Sequence, residues 1–118
     1  MRTMVAIRTR GGHLVQAMLP EVVEALERLN ADHAVLDGEL VVLDEDGRCD
    51  FDAACARLKS PRGPAATVFV FDLLAFEAED LRGRPLRERR RLLERILPPG
   101  DRVLQRVPSR TRTPSWMP

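Results

Sequence analysis

Asp37 and Glu39 stand two residues apart inside the apolar run "AVLDGELVVL", residues 34–43. A buried charge without a partner is costly, so two acids on one strand require pairing, solvent or a ligand. Strand alternation sends both to one face, in line with Val35, Val41 and Leu43. Gly38 points the other way and leaves room for close backbone approach. Such a carboxylate pair can bind a metal ion, accept hydrogen bonds from ribose hydroxyls, or pair with arginine. It can equally sit on an outward-facing edge strand as two solvated acids with local arginine partners.

"FVFDLL", residues 69–74, poses the same choice. Phe69 and Phe71 share a strand face, where aromatic rings ordinarily fill a core. One of them could instead form the wall on which a purine stacks, since a flat apolar face binds a base at little entropic cost. Arg10, beside the paired Gly11 and Gly12, has the fork geometry for a phosphate, although a strand-end arginine is ordinarily a surface residue. His13 and His33 have no cysteine or acid at metal-ligand spacing. No serine or cysteine sits in a nucleophile context. The absence of a Gly-x-Gly-x-x-Gly after a strand argues against flavin or nicotinamide binding, and no Walker-type phosphate loop is present.

The elements that must position these residues are legible in outline. Residues 4–9, "MVAIRT", alternate as a strand with Val5, Ile7 and Thr9 on one face, broken by "RGGH". "LPEVVEALERLN", residues 19–30, is an amphipathic helix with proline near its first turn, a stripe of Val22, Val23, Leu26 and Leu29, and Asn30 as its stop. Residues 33–43 read as a strand and "DEDG" as a turn into a short returning segment. A short helix follows, with Asp50 as N-cap and Phe51, Ala54 and Leu58 on one face. "TVFVFDLLAF", residues 67–76, is the strand densest in β-branched and aromatic residues. "EAEDLRGR" reads as loop, "PLRERRRLLERIL" as a second strong helix closed by "PPG", and "DRVLQRV" as a last strand. The basic face of that second helix is expected to be neutralised by Glu88 and Glu94 at helical spacing. The tail from 108 to 118 has no periodicity and is expected to be disordered. The irregular succession of strands and helices predicts an α+β fold with a mostly antiparallel sheet and flanking helices.

A chain of 118 residues, 44% hydrophobic and 31% charged, is globular in composition and fits one small domain or a piece of a larger one. It has no apolar run of the roughly 20 residues a membrane-spanning helix needs, and its first ten residues lack a secretory leader, which predicts a cytoplasmic protein without a membrane partner. Cys49 and Cys55 are too few for a disulfide framework and are read as reduced thiols. Net charge is +1, so nucleic-acid binding could come only from local clustering. Of 19 basic residues only Lys59 is a lysine.

In order, "RTRGGH", "LPEVVEAL", "VLDGELVVLDEDGRCDF" and "VFVFDLLAFEAEDLRGRPLRERRRLLERIL" resemble the nucleotidyltransferase (adenylation) domain of bacterial ATP-dependent DNA ligases. The resemblance runs from about residue 4 to about 107, so residues 1–107 are expected to form part of that domain. It implies ATP and Mg²⁺ as cofactors, nicked or broken duplex DNA as partner, and roles in repair and recombination. Glu39 matches the acid that contacts the ATP ribose and helps organise the Mg²⁺ site, Phe71 the ring that stacks on adenine, and Arg10 the arginine near nucleotide and DNA phosphates. Asp37 and Gly38 match the rest of the first acidic motif as support, and Asp72 matches a family position without a direct contact assigned.

The departures also carry expectations. In the family a lysine of a Lys-x-Asp-Gly motif attacks the α-phosphate of ATP, AMP passes to a 5′-phosphate, and the neighbouring 3′-hydroxyl seals the break. No Lys-x-Asp-Gly occurs here; Lys59 sits in "RLKSPRGP" without it. Arginine cannot replace a nucleophilic amine because its guanidinium stays protonated. The later glutamate and lysine motifs and the DNA-clamping OB-fold are also missing, Ala78 stands where a turn glycine is common, and "GGHLV" lacks the acid usual after that turn. The chain is therefore expected to be inactive alone, or to take the other ligase segments in trans. The alternative is a non-catalytic module that binds a nucleotide or nucleic acid. RNA ligases and capping enzymes share the broader fold but fit "FDLL" before "PLRERR" less well.

Overall fold

The computed structural model describes residues 4–107. Its elements in chain order are α1 (Pro20–Glu27), β1 (Ala34–Val41), α2 (Phe51–Arg57), β2 (Thr67–Phe76), β3 (Glu79–Asp80), α3 (Leu86–Ile96) and β4 (Leu104–Arg106), with one 3₁₀ turn at Gln16–Met18 before α1. β2 is the centre of the sheet. β1 and β3 pair with it antiparallel, and β4 pairs with it in parallel over Val68–Val70. The α+β architecture with a mainly antiparallel sheet is as the sequence predicts.

One face of the sheet carries the main core. Val70 and Leu73 of β2 pack with Val22 and Ala25 of α1, Leu93 and Ile96 of α3, and Leu104 of β4. Leu36 and Leu40 of β1 lean onto the same cluster from its rim. Each helix starts where the chain chemistry allows: Pro20 supplies the preset φ of a first helical residue with Glu21 behind it, and Pro85 precedes α3. Asp50 caps α2, its carboxylate accepting from the Ala53 N–H at 3.0 Å. Val41, Val42 and Ala54 are buried apart from the main cluster, where α2 meets the end of β1.

Five local expectations need correction. Residues 4–9 do not form a strand: a single bridge joins Arg8 to Leu14, because the "RGGH" turn folds the segment back only briefly. The returning segment after "DEDG" is likewise one bridge, Leu43 to Cys49, around a turn held by the Asp44 side chain. "EAEDLRGR" is not all loop, since Glu79–Asp80 continue the sheet as β3 and Leu81 is fully buried. Phe51 is 74% exposed rather than part of the packed face of α2. Asn30 is not a helix stop; α1 ends at Glu27, and the Asn30 N–H donates to the Ile96 carbonyl. The tail expected to be disordered lies outside the described residues.

Candidate functional site

β1 and β2 define the site. Their register pairs Asp37 with Asp72 and Glu39 with Phe69, and it breaks twice, after Val35 and after Asp37. Each break leaves one β2 residue without an opposite number: Leu74 at the first, Phe71 at the second. Residues directly opposite in an antiparallel pair share a face, so Glu39 and Phe69 lie on one side of the sheet, and Phe71 follows Phe69 by one strand period. Neither ring belongs to the hydrophobic cluster on the other side. Phe71 is the extra residue of a bulge, a device that re-aims a side chain.

Asp37 and Glu39 are both exposed, and among the described residues neither has an ion-pair partner. The local arginine partners considered for them are thus not found there. β1 is an edge of the described sheet, with β2 its sole neighbour. Gly38 is obligatory at this point. A Cβ on it would stand 2.9 Å from the Phe69 carbonyl oxygen, 2.9 Å from Val68 Cγ1 and 3.3 Å from Val70 Cα.

Asp72 is engaged elsewhere. Arg89 of α3 donates to its carboxylate through Nε at 2.8 Å and Nη2 at 3.1 Å, while Nη1 donates to the Arg84 carbonyl at 2.6 Å. Like charges opposite each other weaken a strand pair; this fork neutralises one of the two acids and leaves Asp37 as the net charge. Arg10 lies in the exposed turn closed by the Gly12 N–H on the Thr9 carbonyl, with Gly12 at φ 87°. No hydrogen bond or ion pair among the described residues joins it to Glu39 or Phe71. The β1–β2 register therefore sets Asp37 and Glu39 beside the stretch of β2 that carries Phe69 and Phe71. Two hollows lie elsewhere: one of about 720 Å³ between α3 and β4, and one of about 410 Å³ around Val35, Leu74 and the β2–β3 turn.

Sequence reading missed the buried pair that braces this sheet. Arg57, 2% exposed, donates to Glu21 through Nη1 at 2.5 Å and Nη2 at 2.9 Å, and also to the Met18 and Pro64 carbonyls. The Glu21 carboxylate accepts in addition from the Ala66 N–H, one residue before β2. The Arg57 hydrogen bonds hold the Glu21 carboxyl down at about 2 from an ordinary 4.5. Nothing local signals a pair 36 residues apart.

Among the described residues no group of three or more His, Cys, Asp or Glu side chains is placed to hold a metal ion. An all-protein cage is thus not offered. One or two carboxylates, as on β1, are what Mg²⁺ takes when a nucleotide's phosphates supply further oxygens.

The family model of the ATP dependent DNA ligase domain matches residues 2–114. The chain belongs to this ligase family. Relatives include the multifunctional non-homologous end joining protein LigD of Pseudomonas aeruginosa, 44% identical over 97 residues that cover 82% of this chain and 12% of the relative. A probable DNA ligase of a Nocardioides species is 41% identical over 100 residues, 84% of this chain and 20% of the relative. Among solved structures, the ligase domain from M. tuberculosis LigD superposes with a TM-score of 0.63 at 35% identity, and a mycobacterial DNA ligase D complexed with ATP and MES with 0.62 at 36%. Both alignments cover 78% of this chain and 30% of the other. This ligase-family chain thus spans between an eighth and a fifth of the two curated relatives just named.

Proposed function

We propose that this chain is the adenine-nucleotide-binding part of an ATP-dependent DNA ligase adenylation domain, serving the sealing of DNA breaks in repair and recombination. Phe71 stacks on adenine, Glu39 accepts from the ribose hydroxyls and holds Mg²⁺ that arrives with the triphosphate, and Asp37, Gly38 and Asp72 keep the two strands in register. Arg10 reaches nucleotide or DNA phosphates from its turn. When bound, Mg²⁺ would neutralise charge on the phosphates. The observation that carries this reading is the β1–β2 register, in which Glu39 lies opposite Phe69 with Phe71 one period further on.

The covalent step is a different matter. Attack on an α-phosphate needs an uncharged amine held in line. The one lysine here, Lys59, is exposed on the turn after α2, two residues after the buried Arg57 and not on β1 or β2. The 118 residues by themselves therefore bind ATP without forming a lysine–AMP adduct, and ligation requires further ligase segments, in the same polypeptide or in trans.

Incubation of the chain with labelled ATP and Mg²⁺ tests both halves. Reversible binding is expected without a covalent adduct, and Phe71→Ala should raise Kd roughly five- to hundredfold, since stacking on an aromatic ring contributes ~1–3 kcal/mol per base. An AMP adduct on Lys59 would overturn the non-covalent reading. Binding indifferent to Phe71→Ala would overturn the assigned site.

A further inference from the structure

Among the described residues some arginines are ion-paired and others are not. Arg28, Arg57, Arg82, Arg84, Arg89 and Arg106 each hold an acid. Arg87, Arg91 and Arg95 do not among the described residues, and all three are exposed at successive four-residue steps of α3. The expected neutralisation by Glu88 and Glu94 is absent: Glu94 is taken by Arg106, and Glu88 has no ion pair among the described residues. With 3.6 residues per turn, the three arginines lie on the side of α3 opposite its buried Leu93 and Ile96. All three are exposed, and α3 packs through Leu93 and Ile96 into the cluster with Val70 and Leu73, to which neither Glu39 nor Phe71 belongs. Like charges at this four-residue spacing repel one another along a helix ridge.

The ridge also leads somewhere. Arg95 lines the hollow of about 720 Å³ between α3 and β4, and so does Arg102, itself exposed and without an ion pair among the described residues. At 1.5 Å per residue the line from Arg87 to Arg95 is about 12 Å long. A nucleic-acid strand advances about 3.4 Å per phosphate along its axis, so the line spans three to four phosphates. Guanidinium forks match phosphate oxygens, and the ridge carries no apolar side chain that would enter a lipid surface.

We infer that the Arg87–Arg91–Arg95 ridge of α3, continued by Arg102, is a seat for the phosphodiester backbone of nucleic acid, separate from the nucleotide-facing side of the sheet. The choice of nucleic acid rests on the DNA ligase reading. The contact is sequence-independent, and its strength falls with salt.

Fluorescence anisotropy of a labelled nicked duplex with the 118-residue chain, between 50 and 200 mM salt, tests it. For the triple variant R87Q/R91Q/R95Q the slope of log K against log salt should shrink by about three, close to one per lost phosphate contact, with Kd raised at least about tenfold at the low-salt end. R87K/R91K/R95K should keep the slope, and R48Q/R62Q, which removes exposed charge elsewhere, should leave it unchanged. A wild-type slope in the glutamine triple would overturn the ridge while leaving the ligase reading intact. Equal ridge-dependent binding to phosphatidylserine vesicles would overturn the nucleic-acid assignment. Failure of the wild-type chain to bind any duplex would overturn both the ridge and the DNA half of the ligase reading, while ATP binding and its loss in Phe71→Ala are read separately.

Discussion

Gly38 shows how tightly β1 and β2 are fitted at the acidic motif. Any side chain there meets the Phe69 carbonyl and the Val68 side chain at 2.9 Å, and the backbone half of that clash cannot rotate away. Gly38→Ala should therefore cost about 1–3 kcal/mol, read as a lower denaturant midpoint at unchanged m-value. Glu39→Gln is the converse case. Glu39 is exposed and unpaired among the described residues, so stability should stay within about 0.5 kcal/mol, while ATP affinity drops by the ~1.5–3 kcal/mol of a charge-assisted hydrogen bond. Calorimetric titration beside a thermal melt separates the two. At this scale the sequence is informative for Asp37, Gly38 and Glu39, whose shared face and close approach follow from alternation. It is blind to the bulge at Phe71: the inserted residue sets the buried Val70 and Leu73 three apart, but in so apolar a run that phase shift shows only in the partner's register. It is equally blind to Asp72, whose partner Arg89 comes from another element 17 positions away.

Elements are held to one another by the Glu21–Arg57 pair more than by any helix's own chemistry. The Glu21 carboxyl titrates at about 2 in the fold against an ordinary 4.5. Its folded value is depressed, so its contribution is complete above pH ~4.5 and disappears as pH falls toward ~2. The linkage corresponds to roughly 3 kcal/mol. Glu21→Gln should flatten the acid limb of a stability–pH curve across that window, and Arg57→Ala should destabilise by about 3–5 kcal/mol at neutral pH because it strands a half-buried acid. Chemical denaturation at pH 7 and at pH 3 checks both. Capping was readable, since Asp50 precedes a helical run, and so was the reach of β2, Thr67 to Phe76. β3 was not, because two acidic residues, Glu79 and Asp80, carry no strand signal and are paired only through the hairpin.

Across the whole molecule, order runs outward from β2. It has neighbours on both edges, whereas β1 has one. Hydrogen exchange should rank accordingly: amides of Val70 and Leu73 slowest, outward amides of β1 faster, and the single-bridge segment around Arg8 fastest. Slowest exchange in β1 would contradict this ranking. The fold class was legible because long apolar strands and two strong amphipathic helices alternate without a repeating unit. The direction of β4 was not, since strand signals in "DRVLQRV" do not say which neighbour it joins or which way it runs. β4 lies in parallel beside the middle strand although its Leu104 pairs with Val68, about 36 positions earlier. During synthesis, then, β2 must wait with one flank uncovered until α3 and the Pro98–Pro99 bend have emerged. A nascent chain paused before Leu104 would present that flank to other polypeptides, making the interval between those two points the most vulnerable moment of its biogenesis.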